Sequence, residues 1–294
     1  MYLIIGANGF LGSYIIKNIL QKSTENIIAT ARDIDGLSNS ERVMWIPIDV
    51  TKEDDIAVLQ RISRENKEIN VIYLAAYHKP DLVQKNPKTA WNINIVALSK
   101  VLNVLENVRC LFYSSTDSVY GESKEGHHFS ETDVLRPENI YGIQKKTAEA
   151  LVNGYGYNVV RFPFLIGKSI VKHKKHFCDI ILETLSAGEA IEMFEDSFRS
   201  ALDFNSAAEL LITLIESYCG NLPKIINVSG DKDLSKYDIG LMLADKYGFD
   251  RNLVIPISVQ NNENIFEAPR ATSTLLSNQL LKTTLGIEKV DISL

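Results

Sequence analysis

Cysteine is nearly absent from this 294-residue chain: Cys110, Cys178 and Cys219 are the only three, too far apart for metal-ligand spacing. No metal site is expected from them. An odd, scattered set suits a reducing cytoplasm, and Cys110, inside an apolar run, is expected simply to pack there. No window approaches the roughly 18 apolar residues of a membrane span. No basic segment leads into an apolar one either, because "MYLIIGANGF" goes straight into a strand and a turn. Blocks of like charge are also missing, and 31 basic against 37 acidic residues leave a net charge of −6. That balance argues against nucleic acid or an anionic membrane as partner, since phosphate contacts need a basic face. It leaves room for a local basic pocket holding one small anionic ligand. There is no internal repeat, no low-complexity tract and no linker rich in Gly, Ser or Pro.

What is present is the balance of an ordinary globular protein, with 45% apolar and 23% charged residues. Short apolar runs read as strands at 2–6, 26–31, 44–48, 70–76, 108–114 and 157–162. Amphipathic stretches between them read as helices at 10–21, 52–65, 87–106 and 139–153. This alternation predicts an α/β fold with a doubly wound parallel (Rossmann) sheet. Strands rich in Ile, Val and Leu without strict alternation fit burial on both faces. Beyond about residue 163 the rhythm loosens, with helices expected at 177–187, 204–218 and 235–247 and a strand at 224–230. The reading is a nucleotide-binding domain over 1–163 and a smaller, interleaved substrate domain over 164–294. Segments around 200–230 are expected to return to the first domain.

In "LIIGANGFLG", Gly6, Gly9 and Gly12 follow a strand and open a helix. Gly6 permits the tight turn, Gly9 lets a pyrophosphate approach bare amides, and Gly12 lets the helix lie close to the sheet. Asn8, Phe10 and Leu11 complete this elbow. The second strand ends in Thr30 and Ala31 and is followed by Arg32, with no carboxylate at the tip. An acidic residue there would hold an unmodified ribose, whereas Arg32 welcomes a 2′-phosphate, so NADP(H) is preferred and NAD(H) remains usable. Asp49, with Val50 after it, is the expected acceptor for the adenine amino group. Leu74, Ala75 and Ala76 bring small side chains beside the coenzyme.

"YGIQK" sets Tyr141 and Lys145 four residues apart, on one face of a helix. A phenol near pKa 10 is a poor acid or base at neutral pH. An ammonium about 4 Å away in an effective dielectric near 20 contributes roughly 4 kcal/mol, enough to lower it by about three units. That would bring Tyr141 near working pH, where general acid–base catalysis is most efficient.

With the glycine elbow before them and "SSTDSVYG" (114–121) one strand earlier, these residues resemble the extended short-chain dehydrogenase/reductase superfamily. The nearest likeness is to dTDP-4-dehydrorhamnose reductases, through "AAYHKPD" (75–81), "STDSVYG" (115–121), "FSETDVLRPENIYGIQKKTAE" (129–149), "EDSFRSALDF" (195–204) and "APRATSTLLS" (268–277). The match is tight to about residue 163 and looser after it. The resemblance implies that Tyr141 moves the proton at the substrate carbonyl. Lys145 would lower its pKa and bind the nicotinamide ribose, and Thr116 would hydrogen-bond the substrate oxygen. Sugar-nucleotide dehydratases of this superfamily read Thr-Asp-Glu where this chain has Thr116, Asp117 and Ser118. Without the extra carboxylate as base, the resemblance implies delivery of hydride and proton to a ketone, with Asp117 orienting a substrate hydroxyl or assisting the proton relay.

The implied substrate is a nucleotide-diphosphate sugar, probed by Arg199 and Arg270 in segments matching the family's substrate-binding stretches. The cationic run Lys168, Lys172, His173, Lys174, Lys175 and His176 is a further candidate for substrate contact. Ser206 stands where related enzymes often carry Asp, and His127 and His128 are assigned no role. The expected activity is NADPH-dependent 4-keto reduction of a nucleotide-activated 6-deoxy sugar in surface polysaccharide assembly. A C4 epimerase of the same architecture stays open. So does a non-catalytic NADP-binding subunit, since the regulatory beta subunit of methionine adenosyltransferase resembles the same family. Homodimer formation is compatible with all three.

Overall fold

The computed structural model describes residues 1–261 and 266–293. Its first half follows the apolar rhythm closely: β1 (Tyr2–Ile5), α1 (Phe10–Lys22), β2 (Ile27–Ala31), β3 (Val43–Pro47), α2 (Glu53–Glu65) and β4 (Ile69–Tyr73). Next come α3 (Pro80–Lys85), α4 (Pro87–Trp91), a π-helical turn over Asn92–Ala97, α5 (Leu98–Val104), β5 (Val108–Thr116), β6 (His128–Phe129), α6 (Ile140–Gly154) and β7 (Asn158–Phe162). The two-residue strand β6 matches no expected element, and two differences concern the helices. The stretch 87–106 is not one regular helix, because the ladder widens to i+5 bonds across Asn92–Ala97. And α3 was not anticipated: its six residues are too short to show a period, and Pro80 starts it at the position where proline costs nothing.

The later elements are β8 (Leu165–Ile166), α7 (Phe177–Ser186), β9 (Ile191–Phe194), β10 (Phe198–Arg199), β11 (Leu202–Asp203), α8 (Phe204–Glu216), β12 (Ile225–Asn227), β13 (Leu234–Ser235), α9 (Lys236–Tyr247), β14 (Val254–Ile257), β15 (Leu275–Leu276) and α10 (Gln279–Leu285). Seven strands form one parallel sheet in the order β12-β7-β5-β4-β1-β2-β3. The chain winds outward from β1 in both directions, so a crevice opens beyond the carboxyl ends of β1 and β4, where the order reverses.

The sheet is covered on both faces. Ile15 and Ile19 of α1 meet Leu211 and Ile215 of α8 on one side, with Phe112 and Ile226 from the strands. On the other side Leu59 of α2, Val101 of α5 and Val152 of α6 pack with Leu3, Val71 and Leu111. Burying each such Leu or Ile contributes about 1.5–3 kcal/mol. α8 and β12 belong to this layer although they lie late in the sequence. A separate apolar cluster, including Ile181, Leu185, Met193, Ile239, Leu243 and Val254, joins α7, β9, α9 and β14. Cys110 and Cys178 are buried and Cys219 is exposed, all as free thiols.

The largest fully buried side chain is Arg161 on β7. Its guanidinium grips Glu149 of α6 at 2.6 and 2.9 Å and donates to the Tyr120 hydroxyl at 2.5 Å. Ser115 of β5 donates to the same carboxylate at 2.5 Å. This satisfied network ties α6 and β5 together beneath the crevice. Among the described residues no helix is long and apolar enough to cross a membrane. No group of three His, Cys, Asp or Glu there could hold a metal ion.

Candidate active site

A single cleft of about 1280 Å³ runs from Gly6, Gly9, Phe10, Leu11 and Gly12, past Leu74, Ala76, Thr116, Asp117, Tyr141 and Lys145, to Arg199 and Arg270. The elbow is shaped by glycine at two positions. Gly6 has φ +86°, and a Cβ there would meet the Ala75 amide nitrogen at 2.6 Å. A Cβ on Gly12 would lie 2.3 Å from the Ala7 carbonyl oxygen. At Gly9, by contrast, a Cβ would meet nothing within 4 Å, so the backbone faces open space. No side chain caps α1 and no acidic residue sits in its first turn. Its leading amides and positive dipole end are therefore free to receive an anion.

Other residues named from the sequence lie off this wall. Asn8 donates from Nδ2 to the Asp33 carbonyl at 3.0 Å. Arg32 is exposed at the end of β2, and its charge is felt by Asp49. The Asp49 carboxylate accepts from the Thr51 hydroxyl and amide at 2.7 and 3.0 Å, bonds that hold it below the usual carboxylate range, Thr51 foremost. Val50 is 7% exposed and packs in the core, and Ala75 backs the elbow.

At the centre, "SSTDSVYG" leaves β5 as a 3-10 turn whose cap is Thr116, accepting from the Ser118 amide at 3.2 Å. Thr116 in turn donates to Asp117 Oδ1 at 2.9 Å. Asn139 caps α6 by accepting from the Gly142 amide, and this sets Tyr141 and Lys145 one turn apart over the strand end.

The expected lowering of the Tyr141 pKa is not found: the phenol is held above its ordinary value, first by burial and then by the Asp117 carboxylate. The physical reason is where the ammonium points. Lys145 Nζ donates to the Ser114 carbonyl at 2.7 Å and to the Tyr113 hydroxyl at 3.0 Å, and lies 5.9 Å from the Tyr141 ring centre. Burial pushes Lys145 down to about 7, against a smaller opposing pull from Glu149. Desolvation penalises the charged form of both groups and is the larger cause of each shift.

The substrate side also differs in detail from its expectation. Arg199 does not present a free fork. Its Nη1 donates to the Phe198 and Thr272 carbonyls, its Nη2 to the Ala271 carbonyl, and its Nε lies 3.5 Å from Asp117 Oδ2. It bolts the 271–272 loop to the turn after β5. Asp117, 6% exposed, is raised by burial despite that cation. Arg270 lies over the Phe266 ring at 4.1 Å and pairs with Asp81 at 2.5 Å. The cationic run reaches the other end of the cleft: Lys174 Nζ donates to the Asn8 carbonyl at 2.8 Å, and the His176 ring packs edge-on against Phe10 at 4.9 Å. His127 and His128 pair with Asp133 and Asp233 on the surface.

A family model described as the RmlD substrate binding domain matches residues 1–292. The chain belongs to that family. Methionine adenosyltransferase 2 subunit beta of Xenopus laevis is 24% identical over 274 residues, spanning 91% of this chain and 77% of that protein. The structure of dTDP-4-dehydrorhamnose reductase from Bacillus anthracis in complex with NADP has a TM-score of 0.79 at 22% identity, covering 99% of this chain and 94% of that one. UDP-glucuronic acid 4-epimerase from Bacillus cereus, in complex with UDP-glucuronic acid and NAD, reaches 0.81 at 18% identity, covering 100% and 95%. At these identities the structural likeness establishes the fold.

In this member of the RmlD substrate binding domain family, two wall or support residues escaped the sequence reading. Asn94, in the π-helical turn, accepts from the Tyr77 amide and donates to the Tyr77 carbonyl and to Gln144 of α6. It clamps the loop after β4 to α6. Lys236, the first residue of α9, faces the cleft among aromatic rings. Its one signal was a lysine directly after a helix-capping serine, where acidic side chains are favoured.

Proposed function

We propose that this protein reduces the 4-keto group of a nucleotide-diphosphate sugar, of the 6-deoxy type used in surface polysaccharides, with NADPH. The observation that carries the reading is the single cleft joining an open glycine elbow, the Thr116–Tyr141–Lys145 set and a cationic far wall. Seven Lys or Arg residues line it (Lys79, Lys145, Lys174, Lys175, Arg199, Lys236, Arg270) against three carboxylates (Asp81, Asp117, Glu138). In a chain of net charge −6 this concentrates positive potential where two phosphate-bearing ligands would meet. Residues 1–163 would form the coenzyme half and 164–294 mainly the substrate half, with 200–230 returning to the sheet.

The elbow fits a dinucleotide: Gly9 opens on empty space and the first amides of α1 are uncapped. Phe10, Leu11 and Gly12 would supply amides to the pyrophosphate, Leu74 and Ala76 the neighbouring wall, and Lys145 a contact at the ribose. Arg32, exposed and free of a carboxylate at the strand tip, favours a 2′-phosphate, so NADP(H) is preferred and NAD(H) accepted. Bound NADPH supplies hydride at the ketone carbon. The protein's own part is the proton and its place. Tyr141 keeps its proton throughout the neutral range because burial raises its pKa, and it donates that proton to the ketone oxygen. Thr116 positions the oxygen by its hydroxyl. The Lys145 charge stabilises the resulting phenolate. Ser118, lacking a carboxylate, cannot remove the proton beside the carbonyl, so elimination is not served.

The test offers the purified protein dTDP-, GDP-, CDP- and UDP-linked 4-keto sugars with NADPH or NADH and follows coenzyme absorbance. Stoichiometric oxidation with one of them is expected, and Tyr141→Phe is expected to slow it about 10²–10⁴-fold while still binding NADPH. Offered the corresponding 4-hydroxy nucleotide sugars, interconversion of the two C4 alcohols with no net change in coenzyme would indicate the C4 epimerase. A second reading, a non-catalytic subunit, is favoured by the curated relatives named as subunit beta of methionine adenosyltransferase 2. Unchanged biological effect in Tyr141→Phe would support it.

A further inference from the structure

Lys236 is placed where nearly everything around it opposes its charge. It begins α9, at the positive end of the helix dipole. The carboxylate nearby in sequence, Asp238, is committed to the Ser235 amide and hydroxyl at 2.9 and 2.8 Å. Burial, then Arg270, then Arg199, all lower the Lys236 pKa. Among the described residues its Nζ has no hydrogen-bond or ion-pair partner. Support comes only from rings: Phe194 at 5.4 Å, Phe177 at 5.6 Å and Phe266 at 5.8 Å from the ammonium.

The two guanidiniums beside it are different. Arg199 has Asp117 and three carbonyls, and Arg270 has Asp81. Each of those cations is locally neutralised, so among the described residues Lys236 is, unlike them, a cation of this wall with no carboxylate beside it. The Phe collar holds the side chain in the cleft rather than letting it swing into water, where its desolvation cost would disappear. A cation kept in such a place lacks only an anion.

We infer that Lys236, in its collar of Phe177, Phe194 and Phe266, is the specificity-determining cation for the substrate, taking an oxygen of its diphosphate. This rests on the nucleotide-sugar reading and assigns the discrimination of a diphosphate to one residue. Arg199 then serves to hold the 271–272 loop, and Arg270 to flank the anion from the rim.

The experiment titrates dTDP, UDP, dTMP and inorganic pyrophosphate into the wild-type protein, Lys236→Gln and Lys236→Arg by calorimetry, with NADPH titrated alongside. Lys236→Gln is expected to weaken nucleoside-diphosphate binding at least tenfold and dTMP binding much less, with NADPH affinity unchanged. Lys236→Arg is expected to keep most of the diphosphate affinity. Because the substitution removes a repelled charge, Lys236→Gln is expected to melt no lower than wild type. Equal diphosphate affinity in wild type and Lys236→Gln overturns the inference and leaves the nucleotide-sugar reading standing. Pyrophosphate binding that depends on Lys236, with no affinity for any of the three nucleotides, keeps the anion site and overturns that reading. Absence of binding by all four anions overturns both.

Discussion

Lys145 shows how a side chain legible in the sequence acquires a role that the sequence could not specify. Its spacing from Tyr141 placed both on one helical face, but burial brings its pKa to about 7 and its ammonium turns to Tyr113 and Ser114. The charged fraction therefore falls as pH rises through about 7, while Tyr141, raised by burial, keeps its proton. If the ammonium is what stabilises the phenolate left after proton donation, kcat/KM for ketone reduction declines above about pH 7, by up to tenfold per unit. In Lys145→Arg, whose cation does not titrate in this range, the residual activity is expected to lose that decline. A pH profile of the two proteins at saturating NADPH checks it. A decline that persists in Lys145→Arg would assign the limb to another group.

Among elements, α1 and its elbow were read almost to the residue, because glycine spacing after an apolar strand encodes both the turn and the close packing. The structure separates the three glycines by what a side chain would strike. Gly12→Ala drives a Cβ to 2.3 Å from a backbone carbonyl that cannot swing away. It is expected to cost about 1–3 kcal/mol by overpacking and to weaken coenzyme binding as the helix shifts. Gly9→Ala meets no protein atom within 4 Å, so it is expected to leave the urea midpoint unchanged while still weakening NADPH binding. Urea unfolding and fluorescence titration of both variants distinguish steric damage to the fold from obstruction of a ligand. The π-helical turn at Asn92–Ala97 was not legible: a regular apolar period continues through it, and the distortion serves a contact between Asn94 and loops distant in sequence.

Across the molecule, Arg199 joins the later part of the chain to the end of β5. Replacing it with Met leaves Asp117 buried beside Thr116 with no cation. Breaking such a pair from one side costs about 3–5 kcal/mol, and Arg199→Met is expected to lose near the lower end because Asp117 can take up a proton. That uptake gives the loss a sign with pH. Without the guanidinium the Asp117 pKa, already raised, climbs further, so the deficit is larger at pH 8 than at pH 5. Adding Asp117→Asn is expected to recover much of the stability without recovering substrate affinity. Denaturant unfolding of the single and double variants at both pH values tests this, and a pH-independent deficit would contradict it.

The alternation of apolar runs with amphipathic helices determined the parallel sheet, and glycine and helix spacing located the elbow and the Tyr141–Lys145 pair, since these depend on local sterics and period. Charge states were another matter. Whether a phenol rises or falls, whether Arg199 is a free fork or a bolt, and whether Lys236 finds a carboxylate depend on desolvation and on neighbours brought in from elements far along the chain. Those quantities have no period in the sequence, because Coulomb and solvation energies follow distance in space rather than separation along the backbone.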